Sequence, residues 1–170
     1  MPSDYFAVLA QHSAWANRRL YQSCEALAPA EYLRERGSVY GSLHAALNHI
    51  LATDRLWIGR IEGRSQPAID EHQILYADLV ALKVARLAED ERLRLVISGL
   101  TTGALDVPVY YTNRHGDRFE TPLRFVLGHL FDNQSRCRGE ALALLAQAGA
   151  TAPALDLIAF LRETQAVAGR

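Results

Sequence analysis

Residues 121–149, with the sequence TPLRFVLGHLFDNQSRCRGEALALLAQAG, carry the strongest structural signal in the chain. Thr121 is a candidate N-cap, and Pro122 suits the first helical position because its φ is fixed and it has no N–H group. Gly149 can adopt the left-handed conformation that commonly ends a helix. The apolar residues between these ends recur every three or four positions and are Leu123, Val126, Leu127, Leu130, Cys137, Ala141, Leu144 and Leu145. This spacing predicts one long helix with a buried face.

Three residues with polar or metal-binding side chains follow one another at four-residue intervals near that face, and they are His129, Asn133 and Cys137. Residues four positions apart lie one turn apart on the same side of a helix. We therefore expect these three side chains close to the buried seam, where a functional site can form between helices.

The rest of the chain predicts further long helices. Helix one begins at Ser3 or Asp4 and stops at Ala28–Pro29, and helix two covers residues 42–63. A third helical block runs from about His72 to Leu100, and a short amphipathic helix follows Pro153.

Residues 106–112 and 117–121 predict two short strands around a glycine turn, because the apolar spacing changes there. Three or four long helices with one hairpin indicate an all-α fold, an antiparallel four-helix bundle that forms a single domain over residues 1–170.

Helix two carries two unusual residues, His49 and Asp54. His49 is bordered by Ala45, Ala46 and Ala52, whose small side chains leave room beside the imidazole. Asp54 is expected near the buried seam, where an ionised carboxylate requires a partner such as an arginine, a histidine N–H or the Asn17 amide. We expect Asp54 to have a structural role rather than that of a general base.

Composition limits the possible functions. A chain of 170 residues with 49% hydrophobic residues can bury a sizeable core, and its net charge of −1 provides no field that would attract nucleic acid or an anionic membrane. The N-terminal residues lack the apolar run of a signal peptide, and no stretch reaches transmembrane length. We expect a cytoplasmic protein in which Cys24 and Cys137 are free thiols.

Four segments together resemble the DinB (DNA-damage-inducible) family of four-helix-bundle proteins: WANRRLY, SLHAALNHILATDRLW, VYYT and HLFDNQSRCRGE. In that family, one histidine of helix two and two histidines spaced i, i+4 on the last long helix hold a divalent metal, usually zinc or nickel. Members with known activities include thiol-cofactor-dependent transferases and isomerases, such as bacillithiol and mycothiol enzymes. Members are often dimers.

The resemblance places His49 on the helix-two metal ligand. The later family motif is similar to HLFNHQTHHRGQ, so Asn133 and Cys137 stand where the family has its pair of ligand histidines, and Arg136 replaces a further histidine. A cysteine thiolate is a good zinc ligand, whereas an asparagine oxygen is a weak one. His129 is an alternative ligand with Asn133 and His49 only if the site moves by one turn, because it lies eight residues from Cys137, about 12 Å along a helix.

Two functions remain open on this sequence. The first is a thiol-transferase-like enzyme with a degenerate metal site formed by His49, Asn133 and Cys137, which would hold zinc or nickel weakly or not at all. The second is a metal-free bundle that binds a small molecule or forms a structural homodimer without catalysis. A thiolate of Cys137 acting as a nucleophile is a further alternative within the site.

Overall fold

The computed structural model describes residues 2–64 and 73–168. The predicted start of the third helix, at about His72, lies outside these residues; residues 73–78 are described and are not helical, so this helix begins only at Leu79. The elements in chain order are helices α1 (Pro2–Glu25), α2 (Pro29–Leu33), α3 (Leu43–Ile61) and α4 (Leu79–Ser98), a 3-10 turn (Thr102–Asp106), strands β1 (Pro108–Thr112) and β2 (Arg118–Pro122), and helices α5 (Leu123–Gln147) and α6 (Leu157–Ala168). The predicted fold class, a helical bundle with one short hairpin, is confirmed. None of the described helices is both long and apolar enough to cross a membrane.

Local sequence signals explain most helix ends. The Ser42 side chain accepts from the Ala45 N–H and caps α3, and Asp78 caps α4 in the same way through Ala81. Gly63 and Gly149 follow α3 and α5 with positive φ values of 70° and 81°. These residues set the lengths of the helices that form the site.

Two further helix starts also differ from the prediction. Pro122, not Thr121, holds the N-cap position of α5, and it makes no side-chain cap. Thr121 belongs to β2, where its hydroxyl lies 3.2 Å from the Tyr111 hydroxyl. Helix α1 already begins at Pro2, so Ser3 and Asp4 lie inside its first turn rather than at its cap.

Four long helices form the bundle, and side-chain contacts give their directions. Asn17 of α1 contacts Asp90 of α4, and Glu25 contacts Lys83, so these neighbours are antiparallel. The contacts between α3 and α5 also run in opposite order, from Thr53–Asn133 to Trp57–His129, so these two helices are antiparallel as well. The pairs between α3 and α4 run in the same order, from Asp54–Arg86 to Glu62–Arg92, and so do those between α1 and α5, from Ser13–Gln134 to Asn17–Arg138. Each long helix therefore has one antiparallel and one parallel neighbour.

The core follows the predicted apolar face of α5, whose eight members from Leu123 to Leu145 are all buried. The hairpin pairs Val109 with Thr121 and lies at the N-terminal end of α5, tied there by the Leu123 N–H bonded to the Val107 carbonyl. The last helix, α6, covers α1, where Phe160 packs against Trp15 with ring centroids 5.7 Å apart. The predicted tail helix thus covers the chain's own core.

Candidate functional site

The facing sides of α3 and α5 hold the predicted site residues. Asn133 Nδ2 on α5 donates to Thr53 Oγ1 on α3 at 3.3 Å. One turn earlier on α5, the His129 ring packs edge-on against Trp57, with centroids 4.7 Å apart. Because the helices are antiparallel, this register places Cys137, one turn after Asn133, at the level of His49, one turn before Thr53.

Tyr40, in the loop before α3, connects His49 with Cys137. Its ring stacks on the His49 imidazole with centroids 4.4 Å apart, and its hydroxyl lies 3.1 Å from Cys137 Sγ. The loop can present Tyr40 because Gly41 follows with a φ of 78°, where a side chain would collide with Glu35. Tyr40 and His49 are both buried. The structure therefore brings His49, Asn133 and Cys137 into one region, with a tyrosine between the first and the last.

Arg136 completes this group from the solvent side. Its Nη2 donates to Asn133 Oδ1 at 2.8 Å, and its Nη1 donates to the Tyr40 hydroxyl at 3.3 Å. The Cys137 thiol is 3.7 Å from the same Asn133 oxygen. We call Tyr40, His49, Asn133, Arg136 and Cys137 the polar cluster.

Burial controls the protonation of the polar cluster. It raises the pKa of the Cys137 thiol, and the Tyr40 hydrogen bond and the Arg136 charge lower that pKa only in part. Burial also raises the pKa of Tyr40 to about 12. Both groups are therefore neutral near pH 7, and Arg136 adds a cation to the polar cluster.

The model of the DinB family matches residues 1–167. The chain belongs to the DinB family. Protein DinB of Bacillus subtilis (strain 168) is 26% identical over 170 residues, which cover 96% of this chain and 98% of that protein.

Two solved DinB-like proteins share the fold. The crystal structure of one from Bacillus cereus ATCC 10987 has a TM-score of 0.66 at 15% identity and covers 86% of this chain and 94% of the other. The DinB-like protein YjoA of Bacillus subtilis has a TM-score of 0.60 at 15% identity, covering 87% and 97%. At these identities the likeness concerns the fold alone.

The metal that the DinB resemblance implies can be tested against the chemistry of the polar cluster. Zinc and nickel prefer imidazole and thiolate ligands. Here burial raises the pKa of the Cys137 thiol, and the Asn133 oxygen accepts from the guanidinium of Arg136. Within residues 2–64 and 73–168, no three His, Cys, Asp or Glu side chains are grouped so that they could hold a metal ion. As arranged, the polar cluster offers a metal one imidazole, His49, and one buried thiol, Cys137, while the Asn133 oxygen already accepts from Arg136.

The alternative ligand His129 lies apart from the polar cluster. It is exposed, and it contacts Trp57, which follows His49 by eight residues, about 12 Å along α3. A site shared by His129, Asn133 and His49 would therefore have to span more than one helical turn. This separation follows from the antiparallel register of α3 and α5.

Asp54 belongs to a buried charge network beneath the polar cluster. Its Oδ2 accepts from Arg86 Nη1 at 2.6 Å and from Gln134 Nε2 at 2.8 Å. The expected arginine partner is confirmed, whereas the Asn17 amide donates to Asp90 instead. Arg86 Nη2 also lies 2.9 Å from Asp90 Oδ1, at ion-pair distance but without hydrogen-bond geometry.

Some of these contacts had no signal in the sequence. Tyr40 lies in a loop, where no periodicity indicates which way its side chain points, and the sequence shows Arg136 only as a replacement for a histidine of the family motif. His12 lies on α1 and looks solvent-facing by pattern, yet it is buried, with Nε2 2.7 Å from the Leu155 carbonyl. That contact depends on the segment before α6, which is distant in sequence.

Proposed function

We propose that this chain is a small-molecule-binding DinB-family protein that works without a metal ion. The observation that carries the proposal is the hydrogen bond from Arg136 Nη2 to Asn133 Oδ1 at 2.8 Å. The permanently charged guanidinium of Arg136 thus binds the Asn133 oxygen that a metal would need as a ligand. In this proposal, the hydrogen-bonded polar cluster stands where the family has its metal centre.

Electrostatics supports this reading. A guanidinium stays charged at every physiological pH, so it repels a divalent cation placed beside the same oxygen. Metal binding would also require deprotonation of Cys137, which burial opposes. Both effects act against the metal.

The transferase-like reading remains the alternative function, with a thiol cofactor as its partner. In that chemistry, a metal ion lowers the pKa of a bound thiol and so generates a thiolate. The polar cluster offers one charged group for an anionic substrate, Arg136, whose side chain bonds to two neutral groups. An assay for thiol transfer before and after addition of zinc or nickel distinguishes the two functions: the binding proposal expects no turnover in either state, whereas the transferase function expects turnover with the metal.

We also propose a cytoplasmic homodimer. Cys24 and Cys137 are both free and buried, as suits a reducing compartment. Val80, Val84, Leu87 and Leu95 of α4 are exposed apolar residues that a second copy can cover. Light scattering coupled to size exclusion measures the mass, and a monomer at high protein concentration would contradict the dimer.

Zinc titration of wild type and Asn133→His tests the metal-free proposal. The substitution supplies a second imidazole beside His49 and Cys137, which is a ligand set that zinc accepts. It also removes the oxygen that Arg136 binds. We expect tight zinc binding in the variant and none in the wild type.

Asn133→Gln is the matched control, because it changes side-chain size without adding an imidazole. Tight binding by the wild type, lost in His49→Ala, would overturn the proposal. Failure of both Asn133→His and the double substitution Asn133→His/Cys137→His to bind zinc would contradict the placement of the family site.

A further inference from the structure

A second site lies between α3, the hairpin and the start of α5, away from the polar cluster. This aromatic cleft has a volume of about 480 Å³, within the range of roughly 300–1,000 Å³ that is usual for small-molecule sites. Its walls are Trp57, Arg60, Tyr111, Asn113, Phe119, Thr121, Phe125, Val126 and His129. Four aromatic side chains therefore line the cleft, together with the guanidinium of Arg60 and the imidazole of His129.

The aromatic side chains form a connected array. The Trp57 ring meets Tyr111 edge-on at 5.2 Å and His129 at 4.7 Å, and Tyr111 stacks on Phe119 at 5.6 Å. Phe119 and Phe125 remain 44% and 60% exposed, although large apolar side chains are usually covered. These rings leave apolar surface open at the mouth of the cleft.

Arg60 is held between two of these rings. Its guanidinium carbon is 4.4 Å from the Trp57 ring centroid and 4.8 Å from that of Tyr111. Arg60 Nη2 donates to the Thr112 carbonyl at 2.8 Å, and this hydrogen bond orients the guanidinium group. Among the described residues, no carboxylate pairs with Arg60.

Partial burial makes Arg60 a good anion-binding group. Loss of water around the guanidinium lowers the pKa of Arg60 below its ordinary value, but an arginine keeps its charge at neutral pH. The nearby cation Arg124 is already paired with Asp106. A carboxylate that enters the cleft would therefore find Arg60 with donors available and little competing negative charge.

We infer that the aromatic cleft binds a small planar aromatic carboxylate, whose ring packs among Trp57, Tyr111 and Phe125 and whose carboxylate is held by Arg60. This inference deepens the proposed binding function by giving the ligand class and its place. It does not depend on whether the polar cluster takes a metal.

Isothermal titration with naphthoate in the presence of EDTA tests this site, with the neutral naphthylmethanol as the matched ligand. We expect naphthoate to bind and naphthylmethanol to bind at least about tenfold more weakly, the usual effect of losing a charge-assisted hydrogen bond. Arg60→Gln should remove this preference, and Arg60→Lys should restore part of it. Arg118→Gln is the control, because Arg118 lines the adjoining cleft but not this one.

Nuclear magnetic resonance gives an independent location for the ligand. The chain has two tryptophans, Trp15 beside Phe160 and Trp57 in the cleft. Naphthoate should shift the indole N–H signal of Trp57 and leave that of Trp15 unchanged. Absence of binding, equal binding of the two ligands, or a shift of Trp15 alone would overturn the inference. Because EDTA is present, none of these outcomes depends on metal binding at the polar cluster.

Discussion

Arg136 Nη2 donates to Asn133 Oδ1 at 2.8 Å, one turn earlier on the same helix. Asn133 stands where the DinB resemblance places a metal-binding histidine. The only oxygen of its side chain accepts a hydrogen bond from Arg136, a cation of the protein itself. Tyr40 extends the same network to Cys137. Hydrogen bonds thus link Tyr40, Asn133, Arg136 and Cys137 to one another, and the metal-free proposal rests on this network.

The first prediction concerns the thiol of Cys137. Burial raises its pKa, and the hydrogen bond between Tyr40 and Cys137 opposes that rise. Tyr40→Phe should therefore raise the pKa of Cys137 further and move its pH–rate profile for alkylation by iodoacetamide to higher pH. The measurement uses protein that carries Cys24→Ser, so that only one thiol reacts.

Arg136→Gln should act in the same direction, since it removes a positive charge beside the thiol. The control follows Cys24 in a Cys137→Ser background, where Tyr40→Phe should leave the profile unchanged. A Cys137 profile that stays in place, or moves to lower pH, in both variants would show that the polar cluster does not stabilise the thiolate.

The second prediction concerns the stability of the buried charge network. The Arg86 and Asp54 side chains are each only 2% exposed, and Arg86 also faces Asp90. Arg86→Met leaves two buried carboxylates without their cation and should lower the free energy of unfolding by about 3–5 kcal/mol. Asp54→Asn should cost less, because Arg86 keeps Asp90. Urea unfolding measures both.

The exposed pair of Arg94 and Glu91 provides a matched comparison. Arg94→Met should change the unfolding midpoint little, because water screens an exposed pair. If Arg86→Met is as mild as Arg94→Met, the network does not contribute to the fold as described.

The third prediction concerns the pH dependence of stability through His12. Burial lowers its pKa below 6.5 in the folded protein, and Arg138 lowers it further, while the Leu155 carbonyl and Asp156 oppose the shift. The unfolded chain therefore binds a proton more readily, so stability should fall as the pH drops through 6.5. His12→Gln should reduce this fall, as measured by urea unfolding on both sides of that pH.

His115 at the hairpin tip is exposed and serves as the control for His12. His115→Gln should keep the wild-type pH dependence. An identical slope in wild type and His12→Gln would mean that His12 does not lower acid stability.

Local patterns predicted the elements of the fold because their causes are local. The three- and four-residue apolar spacing gave the buried face of α5, Ser42 gave the start of α3, and Gly149 gave the end of α5. Where two local signals competed at the start of α5, the hairpin register prevailed, because Thr121 pairs with Val109 in the sheet.

Contacts between distant segments were less accessible from the sequence. The resemblance to the DinB family implied that His49 on α3 faces Asn133 and Cys137 on α5. The stacking of Tyr40 on His49 could not be inferred, since it depends on a loop conformation set by Gly41. The choice of Arg86 as partner of Asp54 likewise depends on the parallel packing of α3 and α4.

The metal content of protein purified without a metal-affinity tag tests the central claim most directly. If Arg136 and neutral Cys137 have replaced the metal centre, elemental analysis should find zinc and nickel far below one equivalent per chain, with no change in His49→Ala. One equivalent of either metal in the wild type, lost in His49→Ala, would contradict the account.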